Sequence, residues 1–263
     1  MKICIITVFP EMLAGFLETS MLKRAVKMGA VEFGLVNPRN FTTDAHRSTD
    51  DRPYGGGPGM VMLADPLVKA VESVMVGDGS RESGDNNPKF PNFQTSKPIL
   101  MTPSGKPFRQ EDARRLSKEK NLVFICGHYE GIDDRVRQIL QPEELSIGDY
   151  ILTNGALSAA VVVDAVVRLL PGVLGAGDGA TADESFEHGL LDFPQYTRPP
   201  EYRGLRVPEV LQNGNHAAIA KWRLAESERI TLERRPDLAS AAGLPRKPTE
   251  PKPKRPKKKD CQQ

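Results

Sequence analysis

The chain has 263 residues, 39% hydrophobic and 27% charged, which allows a sizeable core and excludes a disordered or fibrous composition. Its formal charge of +2 conceals a split, because residues 244–263 carry eight Lys or Arg against Glu250 and Asp260, a local +6, and leave 28 basic and 32 acidic residues, or −4, in the body. No apolar run reaches the roughly 18 residues of a membrane span, nothing at the N-terminus reads as a signal peptide, and Cys4, Cys126 and Cys261 are odd in number and widely spaced, all of which predicts a cytoplasmic protein with reduced thiols and no membrane partner.

Residues 3–8 read as a buried strand, and residues 11–26 as one amphipathic helix with Met12, Phe16, Leu22 and Val26 on one side. A second strand is expected at 31–36, followed by a long polar, Gly-rich loop over 37–60. Helical spacing resumes at 63–74 with Pro66 near its start. The stretch 77–96, full of Gly, Ser, Asn, Asp and Pro, reads as a surface excursion. Strand 98–101, helix 110–119, strand 122–126 and helix 133–140 follow. This alternation predicts an α/β domain with a mostly parallel sheet. Tyr150 to Leu152 is a further apolar run of strand length, and a long apolar helix is expected over 156–169, stopped by Pro171 and Gly172. Residues 175–183 hold three glycines and no large apolar residue, as a linker does. Residues 215–234 alternate apolar and charged residues at helical spacing. The resulting domain limits are 1–174, a linker 175–185, a small helical C-terminal domain 186–243, and a tail 244–263.

Two stretches are the most informative: Cys126-Gly127-His128-Tyr129-Glu130-Gly131-Ile132-Asp133-Asp134-Arg135 and Ser146-Ile147-Gly148-Asp149-Tyr150-Ile151-Leu152-Thr153-Asn154-Gly155. Each follows or contains a strand-length apolar run and breaks into glycine, acid and aromatic residues, as binding loops at strand ends do. Such a pair suggests a ligand pocket. Either one alone also fits an ordinary turn after a strand, since glycine is the commonest punctuation there. The histidines at 46, 128, 188 and 216 share no metal-ligand spacing with each other or with the cysteines, so no metal site is expected.

Further blocks accompany these loops. They are Met1-Lys2-Ile3 with Thr7-Val8-Phe9-Pro10-Glu11-Met12, Asn37-Pro38-Arg39-Asn40-Phe41, and Asp51-Arg52-Pro53-Tyr54-Gly55-Gly56-Gly57-Pro58-Gly59-Met60. Later come Asp164 with Arg168-Leu169-Leu170-Pro171-Gly172-Val173-Leu174-Gly175, then Gly189-Leu190-Leu191-Asp192, Tyr196-Thr197-Arg198-Pro199, and Gly214-Asn215-His216 ahead of Trp222-Arg223. In this order, over residues 1 to about 238, the chain resembles the bacterial tRNA (guanine-N1)-methyltransferases of the knotted methyltransferase superfamily, which modify the guanine 3′ of the anticodon.

The resemblance implies an α/β methyltransferase domain with a deep trefoil knot and a mostly parallel sheet, plus a small helical C-terminal domain. A knot departs from the usual rule of unthreaded connections and is inferred from likeness alone. S-adenosylmethionine would sit bent in it, against loops corresponding to 100–105, 127–131 and 146–157. The implied donor contacts are Leu100, Thr102, Pro103, Gly127, Tyr129, Glu130, Gly131, Ser146, Ile147, Gly148, Tyr150, Leu152, Asn154, Gly155 and Leu157. Glycines let main-chain groups approach the adenine edge, Tyr129, Ile147, Tyr150 and Leu152 supply apolar walls, and Glu130 faces the ribose hydroxyls or the donor's cationic end. The third loop departs from the family's Ser-Gly-Gly-Glu-Leu-Pro, reading Thr153-Asn154-Gly155-Ala156-Leu157-Ser158. Losing the acid at Ala156 and the proline at Ser158 bears on donor affinity and on the entry angle of the following helix.

Catalysis requires a base for guanine N1–H and a cation for the charge that develops on O6. Arg168 matches the family's guanine-contacting arginine. Glu184, before Ser185-Phe186, occupies the place of the general base, with Asp183 the alternative. Arg52, Arg198, His216, Lys221 and Arg223 are the expected RNA contacts, since arginine reads phosphates or guanine edges and His can stack on an unpaired base. Each alone is a weak signal, since a charged face of a surface helix is usually just solvated. The implied partners are tRNA and a second copy of the chain in a homodimer, with no DNA. A Mg2+ requirement is not readable. Two alternatives stay open: a knotted methyltransferase acting at another RNA position, and an RNA-binding homologue that has lost methyl transfer. The prolines at 245, 248, 251, 253 and 256 keep the basic tail extended and disordered, as an arm for RNA phosphates or as a solubilising end.

Overall fold

The computed structural model describes residues 1–75, 97–175 and 184–245. The chain divides into two compact units, Met1–Ala180 and Thr181–Gln263. The expected surface excursion at 77–96, most of the linker and nearly all of the basic tail, with Asp183 and Cys261, lie outside the described residues.

In the first unit the order is β1 (Lys2–Ile6), α1 (Glu11–Leu17), α2 (Ser20–Lys27), β2 (Glu32–Val36), a 3-10 turn (Pro38–Phe41), β3 (Asp50–Asp51), β4 (Val61–Met62), α3 (Ala64–Met75), β5 (Ile99–Pro107), α4 (Gln110–Leu116), β6 (Asn121–Cys126), α5 (Asp134–Leu140), β7 (Glu143–Ser146) and α6 (Ala156–Val167). Five strands form one parallel sheet in the order β2-β1-β6-β5-β7. Helices cover both of its faces, so central strands must be apolar on both sides. Ile3 and Ile5 of β1 with Leu122, Phe124 and Cys126 of β6 pack against α1, α2, α4 and α6. Cys4, Ile6, Val123 and Ile125, the alternate positions, pack against α3 and α5. Cys4 and Cys126 are buried free thiols, and burial pushes the Cys4 thiol up to about 12, which leaves it protonated and inert at neutral pH.

Two elements differ from the sequence expectation. The single helix over 11–26 is two helices, because Thr19 turns its hydroxyl back onto the Gly15 and Phe16 carbonyls at 2.9 and 3.2 Å and Ser20 takes a φ of 48°. The buried stripe then falls on Leu13, Leu17, Leu22 and Ala25, leaving Met12 and Val26 exposed. The strand before the third loop is β7, not Tyr150 to Leu152, which are exposed loop residues. β7 sits at the sheet edge, where Glu143 pairs with Arg115 and Glu144 with Arg137 at 3.3 Å, so its acids mask the strand pattern.

The second unit is built on α7 (His216–Arg234) and α8 (Pro236–Ala241) and also holds a hairpin, β8 (Glu201–Tyr202) with β9 (Leu205–Arg206). Arg203 and Gly204 turn it with φ of 52° and 78°, as a tight hairpin turn of this hand requires. Arg206 closes it across the strands on Glu201 at 2.7 Å.

Candidate functional site

β5 does not run straight. It pairs with β7 at Ile99 to Met101, then again at Lys106 and Pro107 after a register shift, so the intervening residues bulge out beyond the strand ends. The bulge is drawn in hard: a Cβ on Gly105 would lie 2.5 Å from the Leu145 nitrogen. A second close approach joins the other two loops. Gly155 donates its N–H to the Gly127 carbonyl at 2.8 Å, His128 bridges Asn154, and a Cβ on Gly155 would lie 2.9 Å from the Cys126 Cα. At both positions the obstacle is main chain, so only glycine fits. Three loops thus meet backbone to backbone at the C-terminal end of a parallel sheet, the place where open α/β sheets bind ligands.

Between them lies a cavity of about 420 Å³. Leu100, Thr102 and Pro103 line it from the first loop, Gly127, Tyr129, Glu130 and Gly131 from the second, and Ser146, Ile147, Gly148, Tyr150, Leu152, Asn154 and Gly155 from the third. Of the donor contacts drawn from the sequence, Leu157 alone is not among the lining residues; it is 46% exposed on α6. His128, Ile132, Arg137 and Ser158 also line the cavity. Arg137 carries no signal in the sequence, since it reads there as one more charge on α5. It reaches the cavity because its side chain is held by Glu144 on β7 at 3.3 Å.

Each loop is pinned. Ser146, nearly buried, accepts from Gly148 N–H at 3.2 Å and donates to the Gly148 carbonyl at 3.1 Å, while Tyr150 folds back to donate to the Ile147 carbonyl at 3.3 Å. Tyr129 sits at a φ of 60° and meets His128 edge to face at 4.4 Å, and Phe9 meets His128 edge to face at 4.9 Å. Burial pushes the Tyr129 phenol up, and the Asp50 carboxylate beside it reinforces the shift against the opposing Arg39 guanidinium. The Gly-rich loop is tied to the same place: Glu130 N–H donates to the Met60 carbonyl at 3.0 Å, Met62 N–H to Gly131 at 2.9 Å and Asp133 N–H to Met62 at 3.0 Å.

The unusual third loop is intact as a helix start. Asn154 accepts from the Ala156 N–H at 2.9 Å in a local turn just ahead of the helix N-cap, Gly155, and the Ser158 hydroxyl donates to the Gly155 carbonyl at 2.8 Å. Ala156 is fully buried, so the small residue matches its space.

The other sequence candidates lie elsewhere. Arg168 follows the C-terminal end of α6, a 12-residue helix and hence roughly 18 Å from the loop at its start. Leu157, Val161, Asp164 and Arg168 are spaced four, three and four apart, which puts them on one side of α6, and Val161 is 51% exposed. Arg52 is exposed in the Gly-rich loop. In the second unit Glu184 begins a compact turn: Glu187 N–H donates to the Glu184 carbonyl at 3.1 Å, Asp192 N–H to the Ser185 hydroxyl at 2.9 Å, and Leu191 N–H to Thr231 of α7 at 2.8 Å. His216, Lys221 and Arg223 are exposed on α7, and Arg198 precedes the hairpin. Arg198 and Arg223 line a second cavity, of about 720 Å³, within this unit. Among the described residues no group of three or more His, Cys, Asp or Glu side chains is arranged to hold a metal ion, and no helix is long and apolar enough to cross a membrane.

A family model described as tRNA (Guanine-1)-methyltransferase TrmD matches residues 1–241. The chain is 50% identical over 246 residues to a protein of Moorella thermoacetica named tRNA (guanine-N(1)-)-methyltransferase, an overlap that covers 93% of this chain and 92% of that one. Relatives with the same name from Pelotomaculum thermopropionicum and Thermomicrobium roseum are 51% and 52% identical, covering 95% and 93% of this chain and 94% and 85% of their own lengths.

Proposed function

Since the chain belongs to the tRNA (guanine-1)-methyltransferase family, it is an enzyme of guanine N1 methylation in tRNA, and we propose that its target is guanosine 37, beside the anticodon. A methyltransferase of this family takes its methyl group from S-adenosylmethionine. The single observation that carries the assignment of a donor site is the three-loop cavity, walled by main chain at Gly127 and Gly155 and lined by aromatic and aliphatic side chains. Its chemistry suits an adenosyl group. Loop N–H and C=O groups can match the edge of a base, Ile147 and Leu152 offer apolar walls, and the buried His128 Nδ1 has no hydrogen-bond partner among the described residues. We propose that the chain forms a trefoil knot where these loops cross; their backbone contacts support the reading.

When bound, the donor supplies a methyl carbon on a positively charged sulfur. The chain has then to remove the N1 proton of guanine and to accommodate negative charge on O6. Glu184 accepts the proton on its carboxylate, leaving the N1 electron pair for the new N–C bond. Arg168 offers a planar cation to O6 as charge builds there. Glu184 belongs to a turn fastened to α7, so it is carried by an ordered element.

Arg168 stands a helix length from the cavity of its own subunit, which supports a site completed by a second copy. The exposed apolar surface supports the same homodimer. Leu157 and Val161 on α6, with Tyr150 at 55% and Ile151 at 79% exposure, form an apolar surface beside the cavity, on the side of α6 that leads to Arg168. Arg52, Arg198, His216, Lys221 and Arg223 serve the tRNA, and the basic tail adds phosphate contacts. The enzyme acts in the cytoplasm.

The deciding assay is labelled methyl transfer to a tRNA transcript with guanosine at 36 and 37, beside one lacking guanosine 37. Label recovered as N1-methylguanosine from the first alone is expected. Label in both, or in another nucleoside, removes the assignment to position 37, and donor binding without transfer would mark a homologue that has lost catalysis.

A further inference from the structure

The second cavity shares no lining residue with the first, and its walls are specific. It lies between the segment 193–200 and one side of α7, and its lining contains two arginines, Arg198 and Arg223, and no acid. That is notable in a chain whose body is net −4 before the tail. Three aromatic rings face it, from Phe193, Tyr196 and Trp222. Arg223 already lays its guanidinium 4.7 Å from the centre of the Phe193 ring, a planar cation over an aromatic face. Tyr196 and Trp222 stand 6.4 Å apart at 54°, so the two rings splay as a wedge and do not stack on each other. Gln212 is held in orientation by its amide N–H on the Val207 carbonyl at 2.8 Å.

A wedge of aromatic faces wants a flat π-system, and Arg198, in a lining that holds no acid, favours negative charge next to it. A nucleobase with its own phosphate has both. The volume falls within the roughly 300–1,000 Å³ of ligand pockets. We propose that this cavity is a stacking pocket for one unpaired nucleobase of the RNA substrate, with the base against Tyr196 and Trp222 and its phosphate against Arg198. The inference rests on the reading of the chain as a tRNA methyltransferase and adds to it a nucleotide-reading site with a lining of its own. A duplex RNA cannot fill the pocket, because its bases are stacked on one another. The pocket therefore selects a looped-out nucleotide and helps to register the anticodon loop.

Trp222 is the only tryptophan in the chain, so tryptophan emission, excited selectively over the five tyrosines, reports this pocket alone. The full-length protein is titrated with a synthetic anticodon stem-loop, with a duplex of equal length, and with stem-loops carrying one abasic nucleotide at each loop position in turn. The stem-loop should quench Trp222 and the duplex should bind without quenching. One abasic position should restore the fluorescence and weaken binding about 5- to 100-fold. Tyr196→Ala should weaken the intact stem-loop by the same factor, with no further loss at that abasic position, while Tyr196→Phe, which keeps the ring, should change little. Equal quenching by duplex and stem-loop, binding without any quenching, or independent losses from Tyr196→Ala and every abasic position would overturn the pocket. Methyl transfer by the same preparation separates the two claims. Transfer with Trp222 unmoved sinks the pocket alone; absence of both transfer and stem-loop binding sinks the enzyme reading and the pocket together.

Discussion

The two cavities are made from different materials. The first lies where loops at the ends of β5, β6 and β7 touch backbone to backbone through Gly105 and Gly155, and its wall includes main chain at Gly127, Gly131, Gly148 and Gly155. The second is walled by side chains, three aromatic rings and two guanidinium groups on a helix face and a proline-bounded segment. Main-chain walls hold a position to within a few tenths of an ångström but admit no added atom. Side-chain walls yield to substitution one contact at a time. The first arrangement suits a ligand that is the same in every turnover, and the second suits one nucleotide among the many of a large RNA.

The largest expected effect tests where the chemistry is supplied. Glu184→Gln removes the proposed proton acceptor from the side-chain unit and should slow single-turnover methyl transfer by about 100- to 10,000-fold, with donor binding unchanged. A full rate in this variant with a dead Asp183→Asn would move the base by one residue. Next in size, Gly105→Ala places a carbon against the Leu145 main chain, 2.5 Å from its nitrogen, where nothing flexible can retreat. It should cost about 3 kcal/mol in thermal or chemical unfolding, and an unaltered transition would show that the bulge of β5 is not held by contact with β7.

The smallest effect asks how far the first cavity depends on side chains at all. Asp112, nearly buried at the start of α4, takes Lys106 at 2.9 Å, Arg115 at 3.6 Å and the Arg109 N–H at 3.1 Å, and so fastens the far end of the β5 bulge. Burial alone would raise its carboxyl, but these donors outweigh it and hold the group below the ordinary carboxylate range. A depressed folded value means that the ionised form stabilises the native state above the unfolded value, roughly pH 3.9. That stabilisation disappears as pH falls through the folded value. Asp112→Asn should therefore cost about 1 kcal/mol at pH 7, the gap to the parent protein closing below about pH 4, with donor affinity nearly unaltered. A gap that persists in acid would show that packing, not charge, holds Asp112.

Legibility in the sequence followed burial. β1 from Ile3 and β6 from Leu122 run apolar at successive positions because both faces of the sheet are covered, so the stretches 3–8 and 122–126 read at once as strands. The loops after β6 and β7 were readable from glycine and aromatic content, and the cavity collects nearly all of their named residues. What stayed hidden has physical causes. β7 is an edge strand whose Glu143 and Glu144 are neutralised by Arg115 and Arg137 from other elements, a pairing that no local pattern announces. The break at Thr19 depends on a hydroxyl turning inward, and β8 and β9, two residues each, are too short for alternation to appear. Arg137 enters the cavity from a helix that reads as solvated on its own.

Calorimetric titration with S-adenosylmethionine of two variants addresses the division between the cavities most directly. Gly155→Ala adds one carbon 2.9 Å from the Cys126 Cα without straining φ, since Gly155 has φ of −78°, and Tyr196→Ala removes a wall of the second cavity. The expected result is loss of donor binding by at least about 100-fold in the first variant and parent-like donor binding, with weakened RNA binding, in the second. Parent-like donor binding in a folded Gly155→Ala protein would show that the main-chain crossing does not form the donor site.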